Sequence, residues 1–249
     1  MLQTQRRGHL RRNLLKDVLG NVLLTSFFVV ALAFVLQRTV PLSASFPWKV
    51  FAVFVAGSAL TLILAIKHLP NHTFGPANQV TLARAGLVAL LFGLMGDTSA
   101  DWLAVVIAST ALALDGVDGW LARRFSVASD FGARFDMETD ALLLLVLAGL
   151  TWHYEKAGPW ILLAGLMRYL FVASSVLVPS LGRPLPPKRR RQTAFVVQAI
   201  ALIICVSPVV AQPLSGAIAL FGLALLSLSF AIDVVYLARA GGDLVRESH

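Results

Sequence analysis

A central stretch of this chain reads Asp115-Gly-Val-Asp118-Gly-Trp-Leu-Ala-Arg123 and is followed by Asp136 and Asp140. Asp115 and Asp118 are three residues apart, and Asp136 and Asp140 are four apart. Each pair lies on one face if its segment is helical. The segment that joins the two pairs is short, so the two helix ends must be neighbours. The sequence therefore predicts two adjacent helices whose four carboxylates converge.

Four converging carboxylates need cations, because like charges at close range cannot all stay ionised alone. Ligand sets made only of oxygen select hard divalent metals such as Mg²⁺ or Mn²⁺. Two such ions would balance the four carboxylates and hold a pyrophosphate between them. The alternative is a structural network of salt bridges in which Arg123, Arg124 and Arg134 neutralise the aspartates.

Small and basic residues in the same stretch favour a phosphate-bearing ligand. Gly116, Gly119 and Gly132 would leave room for a bulky ligand against the helix backbone. Arg123 lies about one helical turn beyond Asp118, where its planar guanidinium can bind phosphate through two hydrogen bonds.

The composition indicates a membrane protein. Hydrophobic residues make up 57% of the 249 residues and charged residues 14%, whereas soluble domains average about 45–50% and about 25%. The net charge of +8 is then better explained by membrane topology and by anionic lipids or substrates than by nucleic acid. A single cysteine, Cys205, excludes an intramolecular disulfide framework.

Apolar segments long enough to cross a bilayer predict an all-α, polytopic helical bundle. We predict eight spans, at about residues 19–37, 48–67, 80–96, 101–122, 137–153, 159–179, 194–211 and 213–238. The basic residues before the first span predict either an amphipathic surface helix over residues 1–18 or a charge cluster that only sets the topology.

Basic residues in short loops face the cytoplasm. With the N-terminus inside, eight spans place nearly all of the 21 lysines and arginines on the inner side. The exceptions are Arg38, Lys49 and Lys156 on the outer side and Arg168 within a span. We therefore expect a bacterial-type inner or plasma membrane protein with the aspartates and both termini on the cytoplasmic side. Asp97 and Asp101 are expected in a solvated outer loop.

The aspartate stretch resembles the signature of the CDP-alcohol phosphotransferase family, D-x-x-D-G-x-x-A-R followed after eight residues by G-x-x-x-D-x-x-x-D. All eight fixed positions are present, at Asp115, Asp118, Gly119, Ala122, Arg123, Gly132, Asp136 and Asp140. Upstream, the residues Asn78, Thr81 and Arg84 are similar to the N-x-x-T-x-x-R that opens the first core helix of that family. The resemblance implies a six-helix catalytic core over residues 78–240. Residues 19–77 would then add two further transmembrane helices, and residues 241–249 would form a cytoplasmic tail.

The resemblance also implies a reaction, in which a hydroxyl acceptor attacks a CDP-linked lipid and CMP leaves. Asp115, Asp118, Asp136 and Asp140 would bind two Mg²⁺ or Mn²⁺ ions, and Asp140 would also be the general base. The residues implied to contact the CDP-lipid are Asn78, Thr81, Gly119, Ala122, Arg123, Ser129 and Gly132. The donor is expected to be CDP-diacylglycerol, and the enzyme is expected to be a homodimer that binds membrane lipids but no nucleic acid.

Basic residues farther along the chain suggest an anionic acceptor. These candidate acceptor-binding residues are Arg168, Arg183, Lys188 and Arg189. They favour a small phosphorylated polyol such as glycerol 3-phosphate or an inositol phosphate. The alternatives are a neutral alcohol acceptor, a soluble CDP-alcohol donor used with diacylglycerol, and, outside enzymes, an ion-coupled transporter.

Overall fold

A computed structural model describes residues 2–68, 74–124, 129–177 and 189–247, and within them the side chains other than those of residues 2–15, 64–68, 118, 122, 123, 175–177 and 238–247. The described residues contain no strand, which confirms the predicted all-α fold. The helices are α1 (Leu2–Thr39), α2 (Phe46–His68), α3 (Gly75–Gly93), α4 (Asp101–Arg124), α5 (Asp130–His153), α6 (Leu163–Leu177), α7 (Arg189–Val206) and α8 (Leu214–Glu247). A short 3-10 helix, Pro159–Leu162, precedes α6.

Within the described residues, eight helices correspond in order to the eight predicted spans, but they are not equally apolar. In this described part of the chain, four helices are long and apolar enough to cross a membrane, at Lys16–Thr39, Phe46–Ile63, Asp101–Leu121 and Leu214–Leu237. A shorter apolar segment covers Pro159–Ser174. Helix α3 carries Arg84, and α5 carries Asp136 and Asp140. These charged residues lower the hydropathy of the two helices.

The outer surfaces of the long helices are apolar, as a lipid environment requires. In α1 the side chains of Leu23, Phe27 and Phe28 are each at least 60% exposed. An exposed apolar stripe of this size is costly in water and favourable in hydrocarbon. Helix α1 is also continuous from Leu2, so the predicted boundary at residue 18 is not a helix end.

The chain divides into two compact units, Met1–Leu142 and Leu143–His249, and the division falls within α5. In the first unit, α1 and α2 pack against each other and both pack against α3. Two glycines of α3 allow this close approach. A Cβ atom on Gly86 would lie 2.5 Å from Val29 Cγ2, and one on Gly93 would lie 2.6 Å from Val50 Cγ2.

The prediction that Asp97 lies in a solvated loop is wrong. Asp97 is only 9% exposed, because the turn between α1 and α2 covers it. The backbone N–H of Ser43 donates to Asp97 Oδ1 at 2.9 Å, and Ser43 Oγ donates to Oδ2 at 3.0 Å. Asp101 is the first residue of α4 rather than a loop residue. The carboxylate of Asp97 thus ties the two N-terminal helices to the turn before α4.

In the second unit, α6 packs on the last turns of α5 at a glycine. A Cβ atom on Gly165 would lie 2.3 Å from Leu145 Cα, so the two helix backbones are close together at this point. Lys156 links the segment after α5 to the segment after α7, because its Nζ donates to Val210 O at 2.7 Å and to Ser207 O at 3.2 Å. Helix α7 packs along α8.

Candidate active site

Arg84 lies at the centre of the aspartate cluster. Its side chain is 1% exposed, and it extends from α3 between α4 and α5. Nη2 contacts Asp140 Oδ1 at 2.5 Å and Asp115 Oδ1 at 3.0 Å, while Nη1 contacts Asp136 Oδ1 at 2.6 Å. Nε donates to the backbone carbonyl of Ala111 at 3.2 Å. One guanidinium therefore joins three helices, and charge-assisted bonds of this kind are the strong ones.

The three carboxylates converge as the sequence predicts. Asp115, Asp136 and Asp140 each present one oxygen, and these oxygens lie within 4.8 Å of one another. Their side chains are 16%, 40% and 24% exposed, respectively, so the cluster has an accessible side. Asp140 contacts Arg84 through Oδ1.

These residues fit a divalent cation. Three carboxylates meet one guanidinium among the described residues, and like charges held this close favour an added cation. The donor atoms are all carboxylate oxygens, the set that Mg²⁺ and Mn²⁺ prefer. The fourth predicted ligand, Asp118, lies in α4, but its side chain is outside the described residues, as are those of Ala122 and Arg123.

The alternative salt-bridge network is not supported for two of its three arginines, and the side chain of the third, Arg123, lies outside the described residues. Arg124 and Arg134 are exposed at the surface of α4 and α5, and Arg84 is the cation among the carboxylates. Arg84, which the sequence counts among the inner-side charges, is buried in α3.

Three of the predicted CDP-lipid residues lie together where α3 meets the start of α5. Ser129 caps α5, since its Oγ accepts a hydrogen bond from the backbone N–H of Gly132 at 3.0 Å. A Cβ atom on Gly132 would lie 2.7 Å from Asn78 Oδ1. The space beside Gly132 is therefore occupied by Asn78, whereas Gly116 has open space around it as predicted.

The remaining described CDP-lipid residues are Thr81 and Gly119. Thr81 is buried in α3, and its hydroxyl donates to the carbonyl of Ala77 at 3.1 Å. Gly119 lies in α4, four residues beyond Asp115, and is half-buried. Both residues thus belong to helices that supply the cluster around Arg84.

The candidate acceptor residues belong to the second unit. Arg168 is half-buried within α6, and Arg189 is exposed at the first residue of α7. Arg183 and Lys188 lie outside the described residues. Asp233, which is buried in α8, is paired with Arg190 at 2.5 Å and lies 3.9 Å from Arg191. The carboxylate of Asp233 is therefore engaged by the start of α7.

Comparison with known proteins agrees with this geometry. The family model for CDP-alcohol phosphatidyltransferase matches residues 74–232. The chain belongs to the CDP-alcohol phosphatidyltransferase family. It is accordingly an enzyme of phospholipid synthesis, which excludes the transporter alternative.

Two relatives of this phosphatidyltransferase carry more specific names. A probable phosphatidylglycerophosphate synthase of Mycobacterium tuberculosis is 31% identical over 180 residues, which cover 68% of this chain and 82% of the relative. A CDP-diacylglycerol–glycerol-3-phosphate 3-phosphatidyltransferase of Cereibacter sphaeroides is 32% identical over 76 residues, 30% of this chain and 34% of the relative. No solved structure gives a significant match.

The sequence does not predict that Arg84 lies at the centre of the site. A signal was available, because a charged residue within an apolar helix of a membrane protein marks a functional site. The same rule identified Arg168. Arg84 is close enough to the start of α3 to be read as a surface charge, and only the packing of α3 against α4 and α5 reveals its partners.

Proposed function

We propose that this phosphatidyltransferase uses CDP-diacylglycerol as donor and glycerol 3-phosphate as acceptor, and that its products are phosphatidylglycerophosphate and CMP. The observation that carries the proposal is the convergence of Asp115, Asp136 and Asp140 on Arg84 in a family whose reaction needs a pyrophosphate to be held and a hydroxyl to be deprotonated. The names of the relatives support this choice of donor and acceptor.

In the proposed reaction the acceptor hydroxyl oxygen attacks the β-phosphorus of CDP-diacylglycerol. The bond between that phosphorus and the oxygen bridging to the α-phosphate breaks, and CMP leaves with the bridging oxygen. The hydroxyl proton passes to Asp140, whose Oδ1 is held by Arg84. Arg84 thereby fixes the direction of the carboxylate that acts as general base.

We further propose that the transfer depends on Mg²⁺ or Mn²⁺ held by Asp115, Asp136, Asp140 and Asp118. Bound there, the metal supplies neutralisation of the charge on the donor pyrophosphate and on the departing CMP. Arg84 keeps the ligand oxygens of α4 and α5 close together, so little reorganisation is needed when the ions bind.

The cytidine end of the donor is assigned to the residues at the junction of α3 and α5. Asn78 and Ser129 offer an amide and a hydroxyl group on either side of the half-buried Gly132. Together with Thr81, Gly119, Ala122 and Arg123 they form the proposed CDP-lipid contacts.

The acceptor phosphate is assigned to the basic residues of α6 and α7. Arg189, Arg190 and Arg191 begin α7, and a helix N-terminus favours an anion. Nη1 of Arg190 is buried and makes no hydrogen bond among the described residues. With Arg168, Arg183 and Lys188 these groups favour a phosphorylated polyol over a neutral alcohol.

A panel of acceptors tests the assignment. Purified protein in detergent is given CDP-diacylglycerol with Mg²⁺ or Mn²⁺, and CMP release is measured with glycerol 3-phosphate, an inositol phosphate, inositol and serine. We expect release with glycerol 3-phosphate and none when a chelator removes the metal. Release only with another acceptor contradicts the assigned substrate, and release that persists with chelator contradicts the metal requirement.

A further inference from the structure

Asp17 of α1 lies outside residues 74–232, which the family model matches, yet it reaches the start of the first core helix. Its Oδ2 accepts a hydrogen bond from the backbone N–H of Phe74 at 3.0 Å. Beside this bond, Gln79 Nε2 donates to Asn21 Oδ1 at 2.9 Å, and Asn21 Nδ2 donates to the carbonyl of Asp17 at 2.9 Å. Helix α1 therefore contacts the first turn of α3 through polar groups as well as by packing.

Helix α3 has no cap of its own. Phe74 is its N-cap residue and makes no side-chain hydrogen bond there, and the first turn contains no acidic residue. The first N–H groups of a helix need acceptors, and a nearby negative charge stabilises this end. In a capping box a glutamate of the same helix bonds the N–H of the N-cap residue. Here Asp17 does so from another helix.

Phe74 transmits this restraint to the residues assigned to the CDP-lipid. Its side chain is fully buried, and its ring packs against that of Phe131, the second residue of α5, with 6.1 Å between the ring centroids. Its carbonyl accepts a hydrogen bond from Asn78 Nδ2. Asn78 in turn lies against Gly132. A single residue thus links Asp17 to both sides of the junction of α3 and α5.

We propose that Asp17 is a positioning residue for the donor site: it caps α3 at Phe74 and so holds Asn78 against Gly132. This inference rests on the proposed function, because it takes Asn78 and Gly132 as donor contacts. It assigns a role in substrate binding to the helices that lie before the matched core.

Direct donor binding tests the proposal without turnover. Calorimetric titration of the full-length protein in detergent with short-chain CDP-diacylglycerol should give a Kd that is roughly 3- to 30-fold higher for Asp17→Ala, the range that follows from losing a helix cap. Asp17→Asn keeps an acceptor oxygen and should recover most of the affinity. In kinetic assays the donor KM should rise in the same proportion, while kcat and the acceptor KM stay unchanged.

Gln79→Ala is the matched control, since it removes the neighbouring bond between α1 and α3 and leaves the Phe74 N–H bond intact. We expect wild-type donor affinity from it. Wild-type affinity in Asp17→Ala, or an equal loss in Gln79→Ala, overturns the proposal. So does a parallel change in kcat and both KM values, which indicates general destabilisation.

The proposed role of Asp17 and the proposed acceptor are contradicted by different results. Wild-type protein that binds CDP-diacylglycerol but does not transfer to glycerol 3-phosphate contradicts the assigned acceptor and leaves the role of Asp17 standing. Hydrogen–deuterium exchange adds a readout that needs no substrate, because the amide of Phe74 should lose protection in Asp17→Ala and keep it in Gln79→Ala. Unchanged protection in Asp17→Ala overturns the capping contact itself.

Discussion

Arg84 is the residue that holds the three carboxylates of the candidate site together, since it contacts each of them. A guanidinium that is 1% exposed would be very unfavourable alone, and three carboxylates held close together would repel one another. The carboxylates offset the unfavourable burial of the guanidinium, and the guanidinium reduces the repulsion among the carboxylates. Among the described residues three carboxylates contact one guanidinium, so the cluster is receptive to a further cation.

Replacing Arg84 should therefore destabilise the protein more than a surface arginine does. Arg84→Ala leaves three partly buried carboxylates uncompensated, and we expect the free energy of unfolding to fall by about 3–5 kcal/mol. Arg84→Lys should lose less, since an ammonium lacks the planar fork that reaches several carboxylates. Added Mg²⁺ or Mn²⁺ should restore part of the stability. Thermal unfolding in detergent measures this, with the exposed Arg38→Ala as control. Wild-type stability in Arg84→Ala is incompatible with this role.

Substitution of Arg168 tests the proposed acceptor site separately from the proposed donor site. If it binds the phosphate of the acceptor, its loss removes a charge-assisted bond worth about 1.5–3 kcal/mol. Arg168→Ala should then raise the acceptor KM about 10- to 100-fold and leave the donor KM unchanged, and Arg168→Lys should recover part. Steady-state kinetics with each substrate varied in turn make the comparison. An equal rise in both KM values would argue against an acceptor contact.

The sequence predicted the positions of the aspartates because helical periodicity alone places Asp115 on α4 and Asp136 with Asp140 on one face of α5. It did not predict the partner of these residues. Arg84 precedes Asp115 by 31 residues, and no local pattern states which helices pack together. The same limit applies to Asp97, whose burial depends on a turn more than 50 residues earlier in the chain.

At the scale of the element, glycines determine how closely the helices approach. The sequence indicated the order of the helices, because apolar runs and polar interruptions are local, although α1, α5 and α8 extend beyond the predicted spans. It did not indicate that Gly165 contacts backbone, while Gly57 in α2 has nothing within 4 Å of its Cβ position. Only the packing distinguishes the two glycines.

These two glycines give a matched pair of substitutions. Gly165→Ala would place a Cβ atom 2.3 Å from Leu145 Cα and 2.6 Å from Leu145 N, so α6 must move away from α5. We expect a loss of about 1–3 kcal/mol in the free energy of unfolding. Gly57→Ala meets open space and should be neutral or stabilising by up to about 1 kcal/mol, because alanine favours helix. Thermal unfolding of both variants measures this difference in stability. Equal stability of the two variants would refute the close contact between α6 and α5 at Gly165.

At the scale of the whole molecule, the distribution of basic residues predicts that both termini and the aspartate cluster face the cytoplasm. Exposed threonines are available for a test on each side, Thr98 between α3 and α4 and Thr193 near the start of α7. In a Cys205→Ala background, a membrane-impermeant maleimide should label Thr98→Cys only from outside and Thr193→Cys only from inside. Labelling in the reverse sense would invert the topology.

We propose that the carboxylates gathered by Arg84 carry out the transfer from CDP-diacylglycerol to glycerol 3-phosphate. The most direct measurement is CMP release by wild-type protein and by Asp140→Asn, whose amide cannot take the acceptor proton, with the exposed Asp130→Asn of the same helix as control. We predict release by wild type and by Asp130→Asn, and a rate at least about 100-fold lower in Asp140→Asn with donor binding retained. Release at the wild-type rate in Asp140→Asn would contradict the account.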